Sequence, residues 1–341
     1  MDSLTQLVLG AAMAELALGR KVGNKAPLWG AICGTIPDLD VLFNPLLSDL
    51  QELGSHRGFS HSIFFTTLLA PLLGYLLSLF YRKKEANWVE WTVMCFLALV
   101  THPLLDAFTN YGTQLFLPFS DYRVAFNSIF IVDPIYTMPM LLALVILLFV
   151  NRKKPLRAHL NTIAVFISHL YLLGTLANKV YISTVFTQAL YEKNISYQRY
   201  YTNPMPLQNV LWNCIAEDTA SYYMGYYSWF DADKKICFRQ VLKNDEGLRE
   251  LKQTFALKRL DWFSNGYAVF TRNQGELFYN DLRFGKMSGL VNDSGSFVYS
   301  WKIVRRHGHI EFERHHPTFE WNPAGFQILI SRVSGIKKDS L

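Results

Sequence analysis

Long apolar runs, separated by short polar or basic joints, fill the first half of the chain. They cover residues 4–18, 27–47, 62–81, 88–108, 135–150 and 159–180. The run at 62–81 is the clearest, about twenty apolar residues with Pro71 inside, the length that a hydrocarbon core requires. Runs this long and this poor in charge set aside a soluble bundle and predict about six transmembrane helices. Beyond residue 190 the pattern changes. Residues 201–207 are extended and turn-rich, and short aromatic and β-branched runs at 222–230, 266–270, 276–284 and 296–301 read as strands. Residues 248–260 carry apolar positions at helical spacing. The expected fold is an α-helical polytopic membrane domain over residues 1–182, followed by a small α+β extracytoplasmic domain over residues 183–341.

Charge gives that fold a direction. The formal net charge of +6 over 341 residues is modest. Its basic residues gather at Arg20-Lys21-Lys25, Arg82-Lys83-Lys84 and Arg152-Lys153-Lys154-Arg157. With six spans all three clusters fall on one side, which the positive-inside rule makes cytoplasmic. The expected location is therefore the cytoplasmic (inner) membrane, multi-pass, with the C-terminal domain and the loops 48–61 and 109–132 outside. The partner is the lipid bilayer and not a nucleic acid, and nothing in the sequence fixes an oligomeric state. The start, Met1-Asp2-Ser3, lacks the basic region of a cleavable signal. Four cysteines are too few for a disulfide framework, although an oxidising compartment would permit a Cys214–Cys237 bridge.

Ionisable groups at membrane depth are costly and mark function. Three stretches carry them: Pro37-Asp38-Leu39-Asp40, His56-Arg57-Gly58-Phe59-Ser60-His61-Ser62 and His102-Pro103-Leu104-Leu105-Asp106. At 1.5 Å per residue, Asp38 lies about 16 Å along the second run and His102 about 21 Å along the fourth. His61 opens the third run from the outside and Asp133 opens the fifth, so these groups share one level in the outer half of the membrane. His102 and Asp106, four residues apart, leave one helix face. Asp38 and Asp40 follow a helix-disturbing proline that lets a bent backbone aim both inward. Gly58 permits a tight turn that points His56 and His61 at a common centre.

Asp38, Asp40, His56, His61, His102 and Asp106 thus form a candidate ligand set for one or two divalent metal ions. Zinc comes first, with manganese or magnesium as alternatives. Arg57 would grip an anionic group bidentately, and Asp133 would be a ligand, orient a histidine or serve as general base. Each has a plainer reading, as a helix N-cap for the aspartates or an interfacial anchor for His56 and Arg57. Their joint occurrence at one depth favours the site. His159 and His169 stand alone on the sixth run. In the C-terminal half, Arg283 either reaches toward the site or pairs locally with Asp281.

These stretches, together with Met1-Asp2-Ser3-Leu4-Thr5, Ile36-Pro37 and Ile131-Val132-Asp133-Pro134, resemble the YdjM-type family of inner-membrane, metal-dependent hydrolases over residues 1 to about 150. The resemblance implies a polytopic bacterial membrane protein with hydrolase activity. One departure stands out. Relatives often read Thr-His near the start where this chain has Thr5-Gln6, and glutamine is a poor metal ligand.

The expected function is a membrane-embedded metal-dependent hydrolase, a phosphoesterase or esterase whose metal activates water, with Asp133 and Arg57 as catalytic residues. An opening into the outer leaflet favours a lipid or lipid-linked substrate. The alternatives are a metal or ion transporter using the same residues, and a non-catalytic membrane protein with a structural metal. Clustering of the polar groups at one level, without an inverted repeat, speaks against transport.

Overall fold

The computed structural model describes residues 1–81, 85–244, 251, 253–286, 296–306, 309–315 and 323–337. The basic cluster at 82–84 and most of the first turns of the helix expected at 248–260 lie outside these residues. The chain divides into two compact units. One comprises Met1–Leu46, Gly54–Asn178 and Pro206–Asn209, and the other Leu47–Leu53, Lys179–Met205 and Val210–Leu341.

The first unit is helical. Its elements are α1 (Ser3–Val22), α2 (Lys25–Thr35), a 3₁₀ helix (Pro37–Leu46), the end of α3 (Asp49–Ser55), a short 3₁₀ turn (Phe59–His61), α4 (Ile63–Phe80), α5 (Trp88–Asp106), α6 (Pro134–Leu147) and α7 (Pro155–Glu192). Asp2, Ser62, Asn87 and Asp133 cap α1, α4, α5 and α6 with their side chains, and Asn87 with Glu90 closes a capping box. Among the described residues, α4, α5 and α7 are long and apolar enough to cross a membrane. At 38 residues α7 is about 57 Å long, well beyond a ~30 Å hydrocarbon core, and from Lys179 onward it belongs to the second unit.

Of the about six spans expected, these three are long and apolar enough among the described residues, and the other runs form shorter or more polar elements. The run at 4–18 falls within α1, which carries Glu15, Arg20 and Lys21. The run at 135–150 is the 14-residue α6. The run at 27–47 is not one helix. It breaks after Thr35 and resumes at Pro37 as 3₁₀: Ile36 keeps α-region backbone angles but its amide turns to the Cys33 carbonyl, and Pro37 has no N–H to continue the α-helical ladder.

Small residues set the packing of α1 on α2. A Cβ on Gly10 would lie 2.4 Å from the Gly30 carbonyl oxygen, and one on Gly34 would lie 2.7 Å from the Gln6 carbonyl oxygen. The two backbones touch where larger side chains would hold them apart. Ala14, Cys33, Trp91, Met94, Cys95 and Ala98 form the buried core beside this contact. A second core joins Val8, Leu9 and Ala12 to Leu105, Tyr136, Met140 and Val165.

At one end of this unit the basic joints meet. Arg157 forms a bidentate pair with Glu15, at 2.6 and 2.7 Å, and both side chains are 2% exposed. Arg157 also donates to Asn24 and to the Leu147 and Val150 carbonyls. Arg152 donates to the Lys21 carbonyl, and Lys25 pairs with Glu85 at 2.6 Å. The joints at 20–25, 85 and 148–157 therefore lie together.

The second unit holds two four-stranded antiparallel sheets, each ordered as in the chain. The first is β1 (Arg199–Pro204), β2 (Leu211–Glu217), β3 (Ser221–Ser228) and β4 (Arg239–Leu242). The helix α8 (Phe255–Ser264) precedes β5 (Ala268–Asn273), β6 (Glu276–Asp281), β7 (Ser300–Arg306) and β8 (His309–His315), and α9 (Pro323–Val333) ends the described chain. Of the helix expected at 248–260, residues 255–260 lie in α8, which begins after a turn and is capped by Thr254. Tyr201, Ile215 and Tyr222 share a core with Tyr267, Val269 and Leu282 of the second sheet region. Arg283 pairs locally with Asp281 at 2.6 Å and donates to the Phe263 carbonyl, which decides between its two expected roles. Cys214 is buried and Cys237 exposed, and both are free, so the permitted bridge is not made.

Candidate metal centre

Four of the expected ligands converge at the end of the first unit remote from the basic joints. Asp38, His61, His102 and Asp106 each offer one ligand atom, and these atoms all lie within 4.8 Å of one another. The 3₁₀ helix supplies Asp38, the turn before α4 supplies His61, and the last turn of α5 supplies His102 and Asp106. The two histidine Nε2 atoms are 3.1 Å apart, and each is 3.3 Å from Asp38 Oδ1. Asp106 Oδ2 stands 3.6 Å from His61 Nε2 and 3.8 Å from His102 Nε2.

The protonation of both rings is fixed from behind. His102 Nδ1 lies 2.6 Å from the Gly34 carbonyl, which can only accept, so Nδ1 carries the hydrogen and Nε2 a lone pair. Ser60 donates its hydroxyl hydrogen to Asp40 Oδ2 and so accepts from His61 Nδ1 at 3.0 Å. In the neutral ring His61 Nε2 is then also a lone pair. With both rings neutral, two imidazole lone pairs and two carboxylate oxygens face one point. Asp106 Oδ2 is buried without a hydrogen-bond donor in good geometry. A tetrahedral ion with bonds of about 2.0–2.2 Å separates its ligand atoms by about 3.3–3.6 Å, close to the distances here. The donor set fits a divalent cation.

Asp40 and His56 stand outside this group of four, although the sequence placed them in it. Asp40 accepts from the Arg57 amide at 3.1 Å, from Ser60, and from His56 Nδ1 at 3.1 Å, and lies 3.4 Å from His61 Nδ1. It holds the turn that carries His61. The His56 ring packs edge-on to His61 and Tyr111, with centroids 6.0 and 5.4 Å away. Exposure separates the groups. The side chains of His61, His102 and Asp106 are at most 1% exposed, whereas Asp38 is 24% and His56 26% exposed, so the centre opens on their side.

Arg57 is buried and turned inward. Its Nε lies 3.0 Å from Asp106 Oδ2, its Nη1 donates to Thr109 at 2.7 Å, and its guanidinium covers the Tyr111 ring. The left-handed residue of this turn is Arg57, with φ of 56°, and not Gly58. Such a backbone persists only where its surroundings hold it, here the Asp40 carboxylate on its amide and the Gln114 amide on its carbonyl. Gly58 serves close approach instead, since a Cβ there would lie 2.6 Å from the Gly54 carbonyl oxygen.

Asp133 caps α6, accepting from Ile135, Tyr136 and the Tyr171 hydroxyl, and is not among the converging ligands. His169 bonds the Val165 carbonyl of its own helix. Sequence reasoning missed the support of Asp106. Gln6 Nε2 donates to Asp106 Oδ1 at 2.9 Å and to the His102 carbonyl, and the Met1 backbone nitrogen also pairs with Asp106. Gln6 therefore reaches the centre as a donor to a ligand. Its place beside the motif-bearing start was the available signal.

With this geometry in view, the comparisons with known proteins fall on the same half of the chain. The profile of the YdjM inner membrane protein family matches residues 1–181. The chain belongs to that family. It is 31% identical over 153 residues to YfhP of Bacillus subtilis, described only as uncharacterized. That match covers 43% of this chain and 46% of the relative, so the chain spans about half the length of the curated relative it matches. No solved structure matches it. The family match takes in all the converging ligands as well as Asp40, His56, Arg57 and Asp133, and identifies an inner-membrane family without assigning a reaction.

Proposed function

We propose that this protein is a membrane-embedded metal-dependent hydrolase that cleaves an ester or phosphoester in a lipid or lipid-linked substrate. The observation that carries the reading is the convergence of four histidine and aspartate ligand atoms, three of them fully enclosed, at one end of a helical unit with three candidate membrane spans. Asp38, His61, His102 and Asp106 would hold the ion, zinc first by its preference for mixed nitrogen and oxygen donors. When bound, a divalent ion there would supply Lewis acidity toward an ester or phosphoester oxygen. Arg57 and Gln6 hold Asp106 in place, and the Arg57 guanidinium offsets its charge.

In this reading the general base is His56 in place of Asp133. Its Nδ1–H donates to Asp40, which leaves Nε2 a lone pair on the open side to take a proton from water. Asp40 orients both His56 and His61. Asp40→Asn is expected to weaken metal binding about 10- to 100-fold, the usual cost of removing an outer partner of a ligand. Competition with a chromogenic chelator measures this, and unchanged affinity would remove Asp40 from that role. His56→Ala is expected to keep its metal and lose about 10²- to 10⁴-fold in turnover.

The test of the reaction is direct. Purified protein loaded with zinc, manganese or magnesium is assayed against a panel of lipid esters and phosphoesters. The expected result is product release that stops on chelation and in the His61→Ala variant. Metal-dependent ion flux into vesicles with no turnover on the panel would favour the transport reading instead.

The orientation proposed is multi-pass, with the basic joints cytoplasmic and the metal centre and C-terminal domain outside. The meeting of the joints at 20–25 and 148–157, with Glu85 beside Lys25, at one end of the unit supports it. A periplasmic-type reporter fused after Leu341 should be active, and a signal from a cytoplasmic reporter at that position would invert the assignment.

A further inference from the structure

Beside the metal centre, two segments outside the candidate spans present an apolar surface with nothing of their own unit over it. In the 3₁₀ helix, every exposed residue from Leu39 to Leu46 is apolar, while Asp40 points inward. Leu42 is 69%, Phe43 62% and Leu46 81% exposed. In the loop after α5, Phe119 is 82% exposed, beside Phe116 and Tyr122. Monomers rarely leave such contiguous patches to water.

The patch continues a face that already belongs to lipid. Phe64, Leu68 and Leu72 are exposed on the candidate span α4. Phe64 packs against Phe119 with ring centroids 5.8 Å apart, and against Phe59 of the His61 turn at 6.3 Å. The amide of Ile63, at the start of α4, donates to the Leu115 carbonyl at 3.0 Å, which ties the loop to the span. Polar exposed residues begin where the apolar patch ends, at Ser48 beyond the 3₁₀ helix and at Ser120-Asp121 on the loop tip. An aromatic tip next to a short polar one is the composition of a segment at headgroup depth.

We infer that the 3₁₀ helix Pro37–Leu46 and the loop tip at 116–122 are inserted into the bilayer, forming a lipid-embedded collar on the open side of the metal centre. These segments were expected to be part of a span in the first case and an outward aqueous loop in the second. Insertion gives the exposure in Pro37–Leu46 one explanation: Asp38 serves the centre and Asp40 the His61 turn, while Leu39, Leu42 and Phe43 reach acyl chains. Whatever reaches Asp38 and His56 arrives past lipid. The inference rests on the exposed surface and holds whether or not the centre hydrolyses anything.

Spin labels test it in the full-length protein. Single cysteines replace Leu42, Phe43 and Phe119 in a Cys237→Ser background, since the other three native cysteines are buried. The labelled protein is reconstituted into phosphatidylethanolamine–phosphatidylglycerol vesicles. Leu72 of α4 serves as the lipid reference and Thr219 of the second unit as the aqueous one. The expected ratio of collisions with oxygen to collisions with a nickel chelate is several-fold above that at Thr219 and close to that at Leu72. A ratio matching Thr219 would overturn the inference. So would dipolar broadening that places a second copy of the chain on the patch. Labelling of the unmodified protein with a hydrophobic carbene reagent guards against misfolded variants: peptides covering 39–46 should be modified as heavily as those from α4, and protection there would count against insertion.

Discussion

Replacing His61 by alanine should empty the proposed metal centre. The ring supplies one of four converging ligand atoms, 3.1 to 3.6 Å from the other three, and it is fully buried, so no water-exposed side chain stands ready to take its place. An ion held by four protein ligands loses most of its affinity when one is removed, because the remaining donors no longer repay its dehydration. Elemental analysis of the purified protein should fall from about one ion per chain to background in His61→Ala, and likewise in Asp38→Ala, His102→Ala and Asp106→Ala. The controls divide the sequence motif in two. His56→Ala and His169→Ala should retain full occupancy, since neither ring offers an atom to the converging group. Full metal content in His61→Ala would sink the assignment of this centre.

Arg157→Met should destabilise the helical unit by about 3–5 kcal/mol, the cost of leaving a buried carboxylate without its partner. Glu15 and Arg157 meet bidentately with 2% exposure each, and Arg157 also donates to the Val150 carbonyl and, beside the Val150 amide, to the Leu147 carbonyl at the end of α6. Its removal strands a buried charge and takes a donor from the Val150 carbonyl. The double variant Glu15→Leu, Arg157→Met should recover much of that loss, because no unpaired charge remains. Unfolding by denaturing detergent, followed by circular dichroism, measures both. Equal destabilisation of single and double variants would mean that packing and carbonyl capping, rather than the charge, set the cost. Neither change should alter metal stoichiometry, since the pair sits at the opposite end of the helices.

Much of this protein is written locally. Hydropathy marks α4, α5 and α7, because a run of about twenty apolar residues has one stable use in water and lipid. Pro37 marks the break in the second run, and the spacing of His102 and Asp106 places both on one face of α5 through helix geometry alone. The aromatic runs mark β3, β5 and β6. Three ionisable stretches at one depth mark a site.

Which of their side chains meet was decided by tertiary structure. Asp38 and Asp40 lie two residues apart on a helix with three residues per turn, so they point about 120° apart around its axis and serve different partners. One joins the centre, and the other holds the His61 turn. Arg57, read as a hand for substrate, is drawn onto Asp106, because a buried carboxylate needs a buried cation and α5 brings that carboxylate beside the turn. Gly34 could be recognised in the sequence only as a small residue. Close packing of α1 on α2 makes its carbonyl the group that fixes the His102 proton. Such contacts join residues 17 to 100 positions apart, as in Asp40–Arg57 and Gln6–Asp106. No local period encodes them; they exist because the helices pack at one distance and in one register, and that is a property of the folded chain as a whole.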